Sequence, residues 1–430
     1  FRQHQPLLPI SNDKRMFFRL FTLGCKVNQY ETEYVRTGLL RLGYIESGPG
    51  DAADLVVVNT CTVTAESEMK GRKAIRKLIR ENPNAEIVVM GCSATHNSQP
   101  LLEIKGVSKI ISEKRDVPEF LRSLGLTELP NGIQSFGERH RAYVKVQDGC
   151  RVGCSYCIIP KVRSTLQSRP ENKVIEEIQT LAQNGYREIV LTGIHLGHYG
   201  TDVENSNKNL ATLVRRIAAM DEPFRLRISS LEAVEVSEEL IDLMLQNPQR
   251  ICPHLHLSMQ SGSDAVLRRM RRRWLSEPFI RRCEEIVARF DHLALTTDII
   301  VGFPGETDEQ FAETCRVVER LQFSKIHIFR FSPRKGTDAA AFSNPVPPPI
   351  QRLRASQLAE IAKRLRINYA SSLAGTTLSV LLETVHGGTA DRYLEVRFQK
   401  TLDPATLGQI RNVRITHARG ETLFCDENNS

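Results

Sequence analysis

"DGCRVGCSYCIIP", Asp148–Pro160, decides how this chain is read. It places Cys150, Cys154 and Cys157 at spacings of three and then two intervening residues, directly after the strand-like run "AYVKVQ". Structural metal sites usually take four side-chain ligands, and a closed iron–sulfur cluster takes four thiolates. This run supplies three, so one metal corner is left for something other than protein.

Around this run, about Tyr143 to Arg366, the chain repeats a strand–helix unit. Strands are expected at "AYVKVQ", "EIVLTG", "FRLRISS", "HLHLSMQ", "LALTTDIIVG" and "KIHIFRF". Amphipathic stretches such as "ENKVIEEIQTLAQNG" separate them. Six parallel strands with crossover helices predict a partial barrel of six βα units, whose chemistry lies in the loops after the strands. The cysteine run is the first such loop. Thr192-Gly193, Ser229, Glu232, Gln260 and Asp298 are read as lying at or after later strand ends, where helix capping is the ordinary use of Ser and Asp.

The preceding block, Met16 to Thr127, alternates the apolar runs "MFFRLFTL", "DLVVVNT" and "EIVVMG" with helical patterns, which predicts a doubly wound parallel sheet. Cys25, Cys61 and Cys92 each fall just past one of these strands. Parallel strands open on one shared edge, so three residues distant in sequence converge there. Two alternatives are buried core thiols and a zinc site with His96 as fourth ligand. After Pro345–Pro349 and one more helix, the periodicity changes to two, predicting a small β-barrel. The expected division is a tail (1–15), a sheet domain (16–127), a barrel (136–366) and a terminal β domain (367–430).

With 41% hydrophobic and 25% charged residues, 430 residues suit a globular chain of about three domains. No apolar run approaches the ~18 residues of a membrane span, and "FRQHQPLLPISNDKR" lacks the apolar stretch of a secretory signal. The chain is read as cytoplasmic, without a membrane partner, and its ten cysteines as something other than a disulfide framework. The net charge of +8 is concentrated in two runs. "MKGRKAIRKLIR" carries Lys73, Arg76, Lys77 and Arg80 with no acid; "LRRMRRRWLSEPFIRR" carries Arg268, Arg271 and Arg272 among seven arginines against Glu277. Each alone also fits a solvated helix face; two together favour a nucleic-acid contact.

A four-iron cluster on three thiolates can bind S-adenosylmethionine at its open iron through the amino group and carboxylate that share one carbon. In all of this the chain resembles the radical S-adenosylmethionine superfamily and, within it, the methylthiotransferases. The resemblance rests on "TLGCKVNQYETE", "NTCTVT", "GCSA", "DGCRVGCSYCIIP", "LTGIHLGHYG", "RISSLEA", "HLHLSMQSGSDAVLRRM", "TTDIIVGFPGET" and "FRFSPRKGT". It implies a [4Fe-4S] cluster on Cys150, Cys154 and Cys157, and an auxiliary [4Fe-4S] cluster on Cys25, Cys61 and Cys92. It implies S-adenosylmethionine contacts at Ile158, Thr192, Gly193, Ser229, Glu232, Gln260 and Asp298, and a terminal RNA-binding TRAM domain. "GCKVNQYETE" is most similar to the branch acting on N6-threonylcarbamoyladenosine at adenosine 37 of tRNA. The branches acting on isopentenyladenosine or on a ribosomal-protein aspartate usually carry Gln-Met-Asn or Pro-Lys-Asn versions of that motif. The implied partners are tRNA, an electron donor and a sulfur donor, and with tRNA the two basic runs become expected RNA contacts. The segment "KVRSTLQSRP" departs from the family's Gly- and Arg-rich pattern, keeping Lys161, Arg163 and Arg169.

Overall fold

The computed structural model describes residues 15–48, 50–137, 139–203 and 208–425; the expected tail falls outside these but for its last residue. They form two compact units, one of residues 1–137 with 158–164, the other of 138–157 with 165–430. Each is taken by itself.

The first unit is a parallel sheet of β1 (Phe17–Thr22), β2 (Ile45–Glu46), β3 (Leu55–Thr60), β4 (Glu86–Gly91) and β5 (Lys109–Ile110), in the order β2-β1-β3-β4-β5. β3 is buried along its whole length, and its side chains alternate between two cores. Leu55 and Val57 join Phe18, Val88 and Met90, covered by Val35 and Leu39 of α1 (Lys26–Arg41). Val56 and Val58 join Ile87 and Val89 on the other face, covered by Ile75 and Leu78 of α2 (Ala65–Glu81). α2 starts where Thr64 Oγ1 accepts from Ser67 N at 3.1 Å, with Glu66 and Glu68 in its first turn. A short α3 (Cys92–His96) follows β4. The segment Ile158–Ser164 also folds into this unit: Ile158 and Val162 pack with Cys92, and Lys114 Nζ donates to Val162 O at 2.9 Å.

The second unit contains the six expected parallel strands: β6 (Arg141–Asp148), β8 (Glu188–Gly193), β9 (Arg225–Ile228), β11 (His254–Leu257), β12 (Ala294–Val301) and β13 (Lys325–Arg330). The short β7 (Gln167–Ser168) runs antiparallel to β6, and β10 (Ser230–Leu231) pairs with β11. The sheets β7-β6-β8-β9 and β10-β11-β12-β13 meet through a parallel bridge, Leu226 to Ile251, giving an open barrel with β7 and β13 as its ends. The cysteine loop leaves the C-terminal end of β6.

The helix Pro348–Ser372 leads to a closed barrel of β14 (Thr377–Thr384), β15 (Gly387–Ala390), β16 (Glu395–Phe398), β17 (Ile410–Arg419) and β18 (Thr422–Cys425). The 366/367 boundary drawn from periodicity lies inside that helix. The small barrel is bound to the parallel strands through buried charge. Arg225 Nη1 donates to Ser379 O at 2.6 Å, Arg227 Nη1 donates to Asp391 O at 2.7 Å, and Arg141 pairs with Glu383 at 2.7 Å.

Candidate functional site

Three loops at the C-terminal edge of the first sheet carry one cysteine each. Cys25 caps α1, Cys61 follows β3 and Cys92 opens α3. Glycines allow the close approach. Gly24 has φ +116°, and a Cβ there would stand 2.8 Å from Asn28 Nδ2 and 3.1 Å from Cys61 Cβ. Gly91 has φ +97°, and a Cβ there would meet Thr60 O at 2.4 Å.

Asn28 ties these loops together. Its Nδ2 donates to Leu23 O and Thr60 O, each at 3.0 Å. Its Oδ1 accepts from Cys25 Sγ at 3.7 Å and Cys92 Sγ at 3.9 Å, so one amide oxygen touches two of the three sulfurs. Arg163 donates to the same oxygen at 3.0 Å and grips both oxygens of Glu31 at 2.7 and 2.8 Å. Burial pushes the Cys61 thiol up, reinforced by Cys92 and Cys25. Cys25 keeps an open face yet is densely walled by protein; desolvation raises its thiol against the pull of Arg163. Metal binding here therefore has to displace protons.

In the second unit Cys150 Sγ accepts from Val152 N at 3.4 Å and lies 3.6 Å from His195 Nδ1. Cys154 Sγ accepts from Arg272 Nη1 at 3.4 Å. His195, in the loop after β8, donates its backbone N–H to Gln147 Oε1 at 2.8 Å and stacks on His198 at 3.8 Å. Its Nε2 lies 2.6 Å from Glu235 Oε1. Burial alone would lower its pKa, but the hydrogen bonds with Cys150 and Glu235 outweigh that and raise it to about 9. Arg272 pairs with Glu232 at 2.9 Å and stacks over Trp274 at 4.5 Å, while Arg273 pairs with Glu232 at 2.7 Å and Glu235 at 2.8 Å. The loop itself is anchored by Ser155, whose N donates to Met270 O at 3.0 Å and whose Oγ donates to Arg269 O at 2.7 Å.

Neither trio is spaced to hold a single tetrahedral zinc ion. A tetrahedral zinc with bonds of about 2.3 Å needs its sulfurs about 3.8 Å apart. Neither trio is among the described groups whose metal-ligating atoms all lie within 4.8 Å of one another. His96 Nδ1 lies 3.3 Å from both Glu68 Oε1 and Thr62 Oγ1. In the second unit, N–H groups of Val152 and Arg272 aimed at Cys150 and Cys154 are surroundings that stabilise thiolate, whereas Cys25 and Cys92 are themselves the donors, to Asn28 Oδ1.

Residues 144–318 match the model of the radical SAM superfamily, and residues 18–112 match an uncharacterised protein family, UPF0004. The threonylcarbamoyladenosine tRNA methylthiotransferase MtaB of Chlamydia pneumoniae is 39% identical over 95% of this chain and 97% of its own. Its namesake in Thermotoga maritima is 38% identical over 92% and 94%. The chain belongs to the radical SAM methylthiotransferase family. Among solved structures, the radical S-adenosylmethionine methyltransferase TsrM of Kitasatospora setae shares the fold, with a TM-score of 0.53 and 16% identity over 73% of each chain. Membership in the superfamily implies a [4Fe-4S] cluster and S-adenosylmethionine.

Within this methylthiotransferase the expected cofactor residues are distributed unevenly. Thr192 is buried at the end of β8 beside Gly193, Ser229 is buried just past β9, and Glu232 lies past β10, held by Arg272 and Arg273. Gln260, at φ +72°, receives Ile300 N on its carbonyl and donates its own N–H to Asp298 O, both at 2.9 Å. Asp298 does not follow a strand: it sits inside β12, because pairing with β13 continues to Val301, and its Oδ2 lies 3.2 Å from His256 Nε2. Ile158 departs further, packing with Cys92 and Val162 in the first unit.

Of the expected RNA contacts, Lys73, Arg76, Lys77 and Arg80 are exposed on α2, and Arg268 and Arg271 are exposed near Asp264 and Asp338. Arg272 is a correction. Its side chain is 5% exposed, turned inward because Glu232, Cys154 and the Trp274 ring compete successfully with water. Sequence reasoning also missed His195 and the role of Arg163. His195 lay in the quoted "GIHLG" loop, and Asn28 and Glu31 follow Cys25 on the first turns of one helix.

Proposed function

We propose that this protein converts N6-threonylcarbamoyladenosine at adenosine 37 of tRNA, beside the anticodon, to its 2-methylthio derivative. The observation that carries this reading is 39% identity to a curated relative of that name across 95% of the chain, with both cysteine trios inside the matched family regions.

When bound, the two [4Fe-4S] clusters and S-adenosylmethionine supply the radical and the methylthio group that the adenine carbon between the two ring nitrogens receives. Cys150, Cys154 and Cys157 hold one cluster, and Cys25, Cys61 and Cys92 hold the other. Val152 N–H, His195 and Arg272 donate to sulfurs of the first trio and stabilise them as thiolates. Asn28, fixed by Arg163, sets the loops of the second. Thr192, Gly193, Ser229, Glu232 and Gln260 position S-adenosylmethionine at the strand ends. The partners are tRNA, an electron donor and a sulfur donor, and a tRNA substrate puts the work in the cytoplasm.

Nucleoside mass spectrometry of tRNA from a strain lacking this gene tests the reading. The 2-methylthio derivative should vanish and the threonylcarbamoyl nucleoside accumulate. Unchanged 2-methylthio nucleosides, with loss of methylthio-aspartate from a ribosomal protein, would transfer the enzyme to the protein-modifying branch.

A further inference from the structure

The second half of α2 carries a charge pattern that its own fold does not explain. In its first half, Lys70 pairs with Glu66 at 2.7 Å and Arg72 reaches Glu68 at 3.9 Å, the i,i+4 arrangement of a solvated helix face. Further along, Arg72, Arg76 and Arg80 stand four residues apart on one face. Like charges at that spacing weaken a helix. The helix dipole favours a cation in the last turn, which accounts for Arg80 and not for Arg76 in the interior.

Among the described residues, Lys73, Arg76, Arg80 and Lys105 form no ion pair. Other surface arginines are paired: Arg289 with Glu238 and Asp242, Arg320 with Glu284 and Glu277, Arg215 with Glu239 and Arg364 with Glu319. Three of the unpaired cations, Arg76, Arg80 and Lys105, also line a cavity. A hollow of about 600 Å³ is bordered by Arg72, Arg76, Arg80 and Lys105, with Ile79 and Ile104 in its lining and Glu103 as its one acid. Glu103 Oε1 accepts from Gln99 Nε2 at 3.4 Å.

We propose that this hollow is a phosphate-binding groove for the RNA backbone, engaging the substrate away from the reacting base. Arginines whose backbone positions rise about 6 Å from one to the next along the helix can follow a row of phosphates, which arginine grips bidentately. The apolar lining supports their aliphatic stems. α2 begins four residues after Cys61, so Arg76 and Arg80 lie about 17 and 23 Å along its axis from its first residue. A groove at that distance meets a stem and not the modified nucleotide. This inference rests on the tRNA reading above.

The test compares wild-type reconstituted holoenzyme with Arg76→Gln/Arg80→Gln, and with Arg215→Gln/Arg289→Gln as a charge-matched control. Affinity is measured at several salt concentrations for full-length tRNA bearing the threonylcarbamoyl nucleoside and for a hairpin trimmed to the anticodon loop. The groove variant should bind full-length tRNA at least about tenfold more weakly near 0.1 M salt, with a salt dependence shallower by about one unit per lost contact. Its affinity for the trimmed hairpin, its iron content and its tRNA-independent cleavage of S-adenosylmethionine should match wild type, as should all properties of the control. Equal affinity and slope for variant and wild type on full-length tRNA overturn the groove and leave the tRNA reading standing. An equal loss on the trimmed hairpin also overturns it. A wild-type protein that binds no tRNA overturns both.

Discussion

Arg163 Nη1 lies 2.7 Å from Glu31 Oε1 and its Nη2 lies 2.8 Å from Glu31 Oε2, a two-pronged pair with the side chains 1% and 6% exposed. The same guanidinium fixes the amide that touches Cys25 and Cys92. Removing one partner strands a buried charge, which costs about 3–5 kcal/mol, whereas replacing both with apolar groups costs far less. Arg163→Met should therefore lower the unfolding free energy of the first unit by about that amount, and Arg163→Met/Glu31→Leu should recover most of it. Urea titrations followed by circular dichroism measure both. If the double variant is as unstable as the single, the pair is not the source of the loss.

The two cysteine trios predict a split phenotype. Cys154→Ala should abolish reductive cleavage of S-adenosylmethionine to 5′-deoxyadenosine. Cys61→Ala should retain cleavage, keep about half the iron and make no methylthio nucleoside. Anaerobic reconstitution, iron analysis and chromatography of both products decide this. A Cys61→Ala protein that still methylthiolates tRNA would remove the second trio from the chemistry.

Arg272 separates two explanations of the arginine run. Its guanidinium spans Cys154 Sγ and Glu232 rather than facing solvent. Arg272→Gln should leave tRNA affinity within about twofold of wild type. It should shift the reduction potential of the barrel's cluster to more negative values, because a cation and a hydrogen bond at the sulfur both favour the reduced state. Spectroelectrochemistry reads the potential. A large loss of tRNA binding at unchanged potential would return Arg272 to the RNA surface.

This residue also marks the limit of what sequence alone reveals. The six parallel strands and the strand-end cysteines are local facts, carried by apolar runs and by the glycines beside Cys25 and Cys92. Arg272 is not local: the run Arg268–Arg273 reads as one basic face, yet its partners come from distant loops, Cys154 being 118 residues away. Ile158–Ser164 is similar. Its few apolar residues are too short a run to show a period, so nothing in them announces packing against Cys92 or Arg163's pairing with Glu31. Asp298 is different: the expected strand "LALTTDIIVG" already contained it, and the register with β13 places it mid-strand, not at the end.

Glu188 gives the second unit its own acid-sensitive element. It is fully buried, with Arg225 at 2.6 Å, Arg227 at 3.0 Å and Arg141 at 3.7 Å. Burial alone would raise its pKa; Arg227, Arg225 and Arg141 together outweigh that and hold the carboxyl far below the usual range. A folded value below the unfolded one, about 4.3, means that the carboxylate stabilises fully above the unfolded value. That contribution is lost as the pH falls toward the folded one. Wild type should therefore lose stability with a slope approaching about 1.4 kcal/mol per pH unit from this one group as the pH drops below about 4. Glu188→Gln should be less stable near neutrality by about 3–5 kcal/mol, since Arg225 and Arg227 lose their counter-charge, and its stability should fall less steeply in acid, so the two curves converge. Arg225 and Arg227 also reach Ser379 O and Asp391 O, so the variant should open the small barrel first, visible as faster hydrogen exchange in β14 and β15. Parallel stability curves across the acid range would show that Glu188 is not held ionised by these arginines.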